Sequence, residues 1–453
     1  MPNATTPLAA AAVYLRPRLI AIFFLGISSG FPLTLLISTL GYWFAQEGIS
    51  AGTIGLFSAM QTPYALKFLW SPLVDRVRLP LLARLVGQRR AWLLLSQALL
   101  AASIIALAGH DPTQSIERMA LFAFLTAFMS ATQDIVIDAY RIEILSAREL
   151  GPGSAMIQFG YRTGNLIAGA GALLLAVHLG WPGTFALMAG LVLCGAIAAL
   201  LAGEPARHDT EESFAMQRRA EAFVRRRAEM PGLAARVGGW LYATVAGPFV
   251  EFLTRPSAWL ILAFVVIYKI GDAMGQVMMA PLLVDLNFTN EEIAWANKVV
   301  GFVALLVGTA LGGGLAYAVG MFRALVITGI AMMVTNLMFA WLAIEGHVVW
   351  LLALSVGVEN FASGMGLAVF VTYLSGLCNL AFTATQYALL SSLAVVGRTW
   401  LAAPSGFLAE AVGWAPFYVL STLAAAPGLL LLWLLWRRGF TVRTEGAGAA
   451  ARS

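Results

Sequence analysis

The chain has 453 residues and a formal net charge of +5, yet 60% of its residues are hydrophobic and only 11% are charged. An ordinary soluble domain carries about 25% charged residues, so this composition cannot build a water-exposed surface and excludes a soluble enzyme. The basic excess lies in polar interruptions between apolar runs, which argues against a nucleic-acid partner.

Twelve runs approach the roughly 20 residues that cross a bilayer core. They are 18–44, 53–74, 91–109, 118–145, 153–178 and 182–202, then 258–286, 292–319, 323–345, 347–377, 382–411 and 416–438. After Arg16 and Arg18 the first run stays apolar well beyond a signal-peptide core and no small-residue cleavage site follows, so it is expected to remain as the first span. Placing successive loops on alternate sides puts nearly every loop arginine on the side of the N-terminus, Arg118 being the exception, which predicts cytoplasmic termini. Cys194 and Cys378 read as core residues. His110, His178, His208 and His347 fall in predicted loops, and no metal site is predicted.

A charged side chain at the bilayer centre costs on the order of 3 kcal/mol, and such residues usually border a cavity on a solute or proton path. All three lysines, Lys67, Lys269 and Lys298, fall inside spans. The second span carries Tyr64 and Lys67 and ends in Asp75-Arg76, followed by Arg89-Arg90. In the fourth, Gln133 precedes Asp134, Asp138 and Arg141, whose spacing of four and three puts them on one helical face. The fifth carries Gln158, Tyr161, Arg162 and Asn165. The seventh carries Tyr268, Lys269, Asp272 and Gln276, the tenth Glu359 and Asn360, and the eleventh Gln386 and Arg398. Tyr42, Trp43, Trp350 and Trp414, near span ends, read as interfacial anchors.

The longest polar interruption divides the chain into a six-helix bundle (1–203), a basic cytoplasmic linker (204–257), a second six-helix bundle (258–438) and a tail (439–453). Within the linker, 233–253 carries Trp240, Tyr242, Phe249 and Phe252 and is read as an amphipathic interfacial helix, with a further span as the alternative. Gly160 and Arg162-Thr163 of the fifth span correspond to Val396 and Arg398-Thr399 of the eleventh, so the halves are expected to be repeats about an axis along the membrane normal, with the solute site between them.

The loop D-R-V followed by G-Q-R-R resembles the cytoplasmic loop signature of the major facilitator superfamily, here stretched between Arg76 and Gly87. FLGISSGFPL, TIGLFSAMQTPYALKFLWSPLVDR, SATQDIVIDAYRIEIL, YKIGDAMGQ, ENFASGMG and LCNLAFTATQYALLSSLAVVGR resemble the AmpG muropeptide permeases. The resemblance implies an all-α, major facilitator-like protein of the bacterial inner membrane. It implies import of anhydro-muropeptides, GlcNAc-anhydroMurNAc with or without peptide, for peptidoglycan recycling, with a link to β-lactamase induction. A proton gradient in place of a cofactor, lipid surroundings and a monomer are the accompanying expectations. The rivals are another anionic solute such as an acyl-CoA, carried by the related acetyl-CoA transporters, and a membrane sensor of wall fragments that moves nothing.

Roles follow from position. Asp134, Asp138, Arg141, Lys67 and Glu359 are the proton-coupling candidates. Tyr64, Gln133, Gln158, Tyr161, Arg162 and Asn165 in the first half, with Tyr268, Lys269, Asp272, Gln276, Asn360, Gln386 and Arg398 in the second, are the solute-binding candidates. Asp75, Arg76, Arg89 and Arg90 are the cytoplasmic gate.

Overall fold

A computed structural model of the chain describes residues 12–50, 53, 57–206 and 247–440, apart from the side chains of Ser58, Ala59, Asn290, Val396, Arg398 and Thr399. Among the described residues no strand occurs, and nine helices are long and apolar enough to cross a membrane. In hydrocarbon, a helix satisfies its own backbone hydrogen bonds where an open strand edge cannot. One of the nine, Ala147–Ala202, holds two passes, because the chain reverses at Gly180, where φ is +65°, a conformation that favours glycine. Two further passes are interrupted helices, over 57–76 and over 383–412, which completes twelve rods.

The interruptions correct the uniform spans expected from hydropathy. The second rod is four short pieces broken around Lys67 and Trp70. The seventh breaks at Tyr268–Lys269, between Ala258–Ile267 and Ile270–Asp285. The eleventh breaks before Pro404. Wide helical turns interrupt the first, fifth and eighth rods at Leu35–Thr39, Ile167–Gly171 and Ala296–Gly301. Two of them face each other, and the Thr39 hydroxyl donates to the Ala168 carbonyl at 2.5 Å, satisfying a backbone group that such a turn frees.

Lipid tails are as apolar as leucine, so helices in a membrane associate through close backbone approach at small residues. Gly26 and Gly30 of the first rod lie against Gly160 and Tyr161 of the fifth, and a Cβ on Gly160 would run into the Phe23 carbonyl. In the second half, Gly308 and Gly312 sit against the backbone of Phe361 and Met365 of the tenth rod. A Gly160→Leu substitution is therefore expected to force these two helices apart at a cost of about 1–3 kcal/mol, measured as a lower thermal midpoint of the purified protein in detergent.

One apolar cluster, with Phe31, Phe44 and Phe185, is built from the first half, and another, with Phe339, Leu351 and Phe417, from the second. Trp43 belongs to the former. It is buried and stacked on Trp181 at 6.2 Å, so it is a packing residue and not the expected interfacial anchor, whereas Tyr42 and Trp350 are exposed. Of the linker helix expected over 233–253, residues 233–246 lie outside the described residues. Gly247–Leu253 is helical, with Phe252 buried.

Candidate functional site

The two halves meet through hydrogen bonds gathered at one end, the end where the first rod begins and the twelfth finishes. There the backbone N–H and hydroxyl of Thr385 donate to Asp75 Oδ2 at 2.8 and 2.6 Å, and the Ala384 N–H donates to Oδ1 at 3.2 Å. Asp75 thus caps the eleventh rod from the opposite half. Arg89 holds the same carboxylate at 2.7 Å and Glu143 at 2.6 Å, so this buried guanidinium ties the second, third and fourth rods together. Arg141 donates to Ser375 across the seam at 3.1 Å and lies over the Tyr387 ring at 5.4 Å. Tyr14 donates to the Ala310 carbonyl at 2.8 Å, and Arg76 lies over Phe382 at 5.4 Å. Arg90 stays within the first half, 3.5 Å from Glu204.

Deeper, Asp134 and Asp138 are the partly exposed positions on a stretch of the fourth rod, 130–142, whose other residues are buried, so that face is the one solvent-sized space reaches. Asp134 accepts a hydrogen bond from Ser29 at 2.6 Å. Asp138 lies 3.6 Å from both Lys67 and Arg141. Lys67 is also within Coulombic reach of Asp134, as are Tyr64 and Tyr161. One ammonium therefore stands between two carboxylates. When one of these takes a proton, the lysine's attraction passes to the other, which is the minimum needed for a proton-dependent rearrangement.

The second half carries a matching but separate group. Lys269, at the break of the seventh rod, is 3.3 Å from Asp272. Gln276 donates to Glu359 at 3.1 Å and to Ser363 at 3.0 Å, and approaches Asp272 at 3.4 Å. Counted along their helices, Glu359 lies 10 residues from the start of Val349–Leu377 and Asp134 lies 18 residues from the start of Ile116–Ile144. At 1.5 Å per residue, the second-half group is offset by about 12 Å from the first, away from the closed end.

Other expected solute contacts belong elsewhere. Tyr268 is buried in the second-half core, its hydroxyl donating to the Leu325 carbonyl at 2.8 Å, because the break that follows turns it inward. Gln133 is fully buried and donates to the Ser28 carbonyl at 2.8 Å, between helices of the first half. Gln386 holds the linker: it bonds Glu251, the Pro248 carbonyl and the Asn379 N–H, while Arg255 bridges it to Glu251. Asn360 turns back to its own helix at the Val356 carbonyl, and Asn165 receives a hydrogen bond from Thr34. The Arg398 side chain is outside the described residues.

Two further cations are without a carboxylate among the described residues. Arg162 is half-buried, and among the described residues no carboxylate pairs with it. Lys298 was not among the expected contacts. It is exposed and likewise unpaired among the described residues, and stands in the wide turn Ala296–Gly301. Its occurrence as one of only three lysines, all within spans, was the signal available in the sequence.

Comparison with known proteins places this geometry. Residues 22–381 match the Major Facilitator Superfamily family model. The chain is 40% identical to the anhydromuropeptide permease of Escherichia coli K12 over 93% of its own length and 80% of that protein. It is 36% identical to the AmpG 4 protein of Rickettsia conorii over 92% of itself and 96% of that chain. Among solved structures, it is similar to the proton:xylose symporter XylE (TM-score 0.62, 15% identity, 95% and 97% of the two chains) and to the E. coli fucose:proton symporter FucP (TM-score 0.63, 12% identity, 95% and 99%). These last two establish the fold alone.

Proposed function

Because the chain belongs to the major facilitator superfamily, within its family of AmpG permeases, we propose that it imports anhydro-muropeptides from periplasm to cytoplasm for peptidoglycan recycling, drawing on the proton gradient. It is a multi-pass membrane transporter and not an enzyme. The observation that carries the solute assignment is the extent of the match to the E. coli permease, which runs through the charged helices as well as the apolar ones.

The arginine-rich loops favour the cytoplasm of a bacterial inner membrane for the closed end. Arg162 suits an anionic solute, such as one bearing the carboxylates of a muropeptide. The Lys67, Asp134 and Asp138 group supplies proton coupling, and Asp75, Arg76, Arg89, Arg90 and Arg141 form the cytoplasmic gate. Asp111, in the loop at the opposite end, accepts from the Thr113 hydroxyl at 2.6 Å and its N–H at 2.8 Å, which holds its carboxyl below the usual range. Any pH dependence near neutrality therefore arises elsewhere.

The deciding experiment is uptake by right-side-out vesicles of labelled GlcNAc-anhydroMurNAc, its tripeptide form and an acyl-CoA. Concentrative uptake of the first two, and not the third, is expected. Binding without accumulation would instead identify a sensor. Arg162→Ala is expected to raise KM for the tripeptide form about tenfold, as for the loss of one charged contact worth about 1.4 kcal/mol, with a smaller effect for GlcNAc-anhydroMurNAc, which carries fewer carboxylates.

A further inference from the structure

The gate surface holds a cavity to which the transport scheme assigns no ligand. It measures about 580 Å³, and its walls come from both halves: Arg76, Arg78, Arg84 and Gln88 on one side, and Leu380 to Phe382 on the other. Three acids also line it, but each is already engaged. Asp75 and Glu143 are held by Arg89, and Glu204 accepts the backbone N–H groups of Arg89 and Arg90 at 2.8 and 3.1 Å. The guanidiniums of Arg76, Arg78 and Arg84 have no carboxylate within salt-bridge distance among the described residues, and Arg76 Nε is buried with no hydrogen-bond partner. Three guanidiniums without a carboxylate line one cavity, one with a buried unmet donor, and the guanidinium fork matches the bidentate geometry of a phosphate.

We propose that this cavity binds a phosphate group and that the bound phosphate holds the gate closed. The segment that makes it is the stretch inserted between Arg76 and Gly87. It supplies Arg78 and Arg84, and its short helix Leu82–Val86 follows Leu81, whose φ of +68° is unusual for a residue with a side chain. Leu81 and Leu85 are 74% and 80% exposed. Exposed leucines alternating with arginines mark a segment lying in a membrane interface, so the phosphate of an anionic phospholipid is one source and a soluble phosphate the other. The arginines belong to the first half and Leu380 to Phe382 complete the wall from the second, so a phosphate there is enclosed only while the halves are together, and by linkage the affinity gained from that enclosure shifts the population toward the closed gate.

The test uses the full-length purified protein. Retention of phosphatidylglycerol is measured by native mass spectrometry, and binding of inorganic phosphate by calorimetry. Both are run on the wild type, on R78Q/R84Q, and on R148Q, which removes an exposed arginine lying outside the cavity. At least a tenfold loss of affinity is expected in R78Q/R84Q and none in R148Q. A loss confined to phosphatidylglycerol assigns the lipid, and a loss confined to inorganic phosphate assigns the soluble ion. In the wild type, the bound ligand is also expected to protect Arg84 from phenylglyoxal at least fivefold by peptide mapping, which decides the matter even if the double variant does not fold. Unprotected Arg84 together with unchanged binding in both arms overturns the proposal. Neither readout involves the transported solute, so failure here leaves the transport assignment standing.

Discussion

Asp134→Asn is expected to reduce pH-gradient-driven accumulation of the labelled anhydro-disaccharide to passive equilibration, while solute affinity changes less than tenfold, which is about 1.4 kcal/mol. Asp134 borders open space, is bonded to Ser29, and shares Lys67 with Asp138. Its amide counterpart keeps the shape and the Ser29 contact but stays neutral at every pH. Lys67 is then committed to Asp138 permanently, as it would be only transiently when Asp134 takes a proton. Exchange of solute down its own gradient should survive, because it needs no net proton movement. The measurement is uptake in vesicles with an imposed pH gradient, beside counterflow without one. Accumulation that still follows the gradient in the Asn variant would remove Asp134 from the coupling step.

The legible parts of this molecule were those governed by solvation. Apolar length and loop arginines mark the passes, and costly charges such as Asp134, Lys67, Lys269 and Glu359 announce themselves because nothing else pays for them in a membrane. What hydropathy cannot convey is which side of a helix a residue faces once the helix breaks. Tyr268 and Lys269 are neighbours in sequence, yet the interruption between them sends the tyrosine into the core and leaves the lysine beside Asp272. Gln386 falls within a predicted span but serves the linker, because the eleventh rod begins near the membrane face and the amide finds Glu251 there. Gln133 adjoins Asp134 and so looked equivalent to it, but one residue is about 100° on a helix, enough to bury it against Ser28. Lys298 is the opposite case: nothing near it in sequence carries charge of the other sign at helical spacing except Glu291, and the wide turn Ala296–Gly301 shifts the helical phase there by about 100°.

Asp75→Asn should open the end that is closed here. Asp75 caps the eleventh rod through the Ala384 and Thr385 N–H groups and takes the Thr385 hydroxyl as well, all across the seam. An asparagine can accept on one side only, and its NH₂ would face a donor on the other. The loss combines a helix cap, about 1 kcal/mol, with a charge-assisted hydrogen bond of comparable size. The Arg89 contact lies within one half and is unchanged in kind by opening, so it adds little to the difference between states. A net shift of about 2 kcal/mol moves the open-to-closed ratio about 30-fold. Cys378 reports it, being buried at this end within electrostatic reach of Arg141 and Asp75. In a Cys194→Ser background, maleimide labelling of Cys378 from the cytoplasmic face of inverted vesicles should accelerate by about that factor. Gly160→Leu, which disturbs packing inside one half, should not produce this acceleration. A labelling rate within twofold of the parent would mean that Asp75 organises its own half and does not latch the two together.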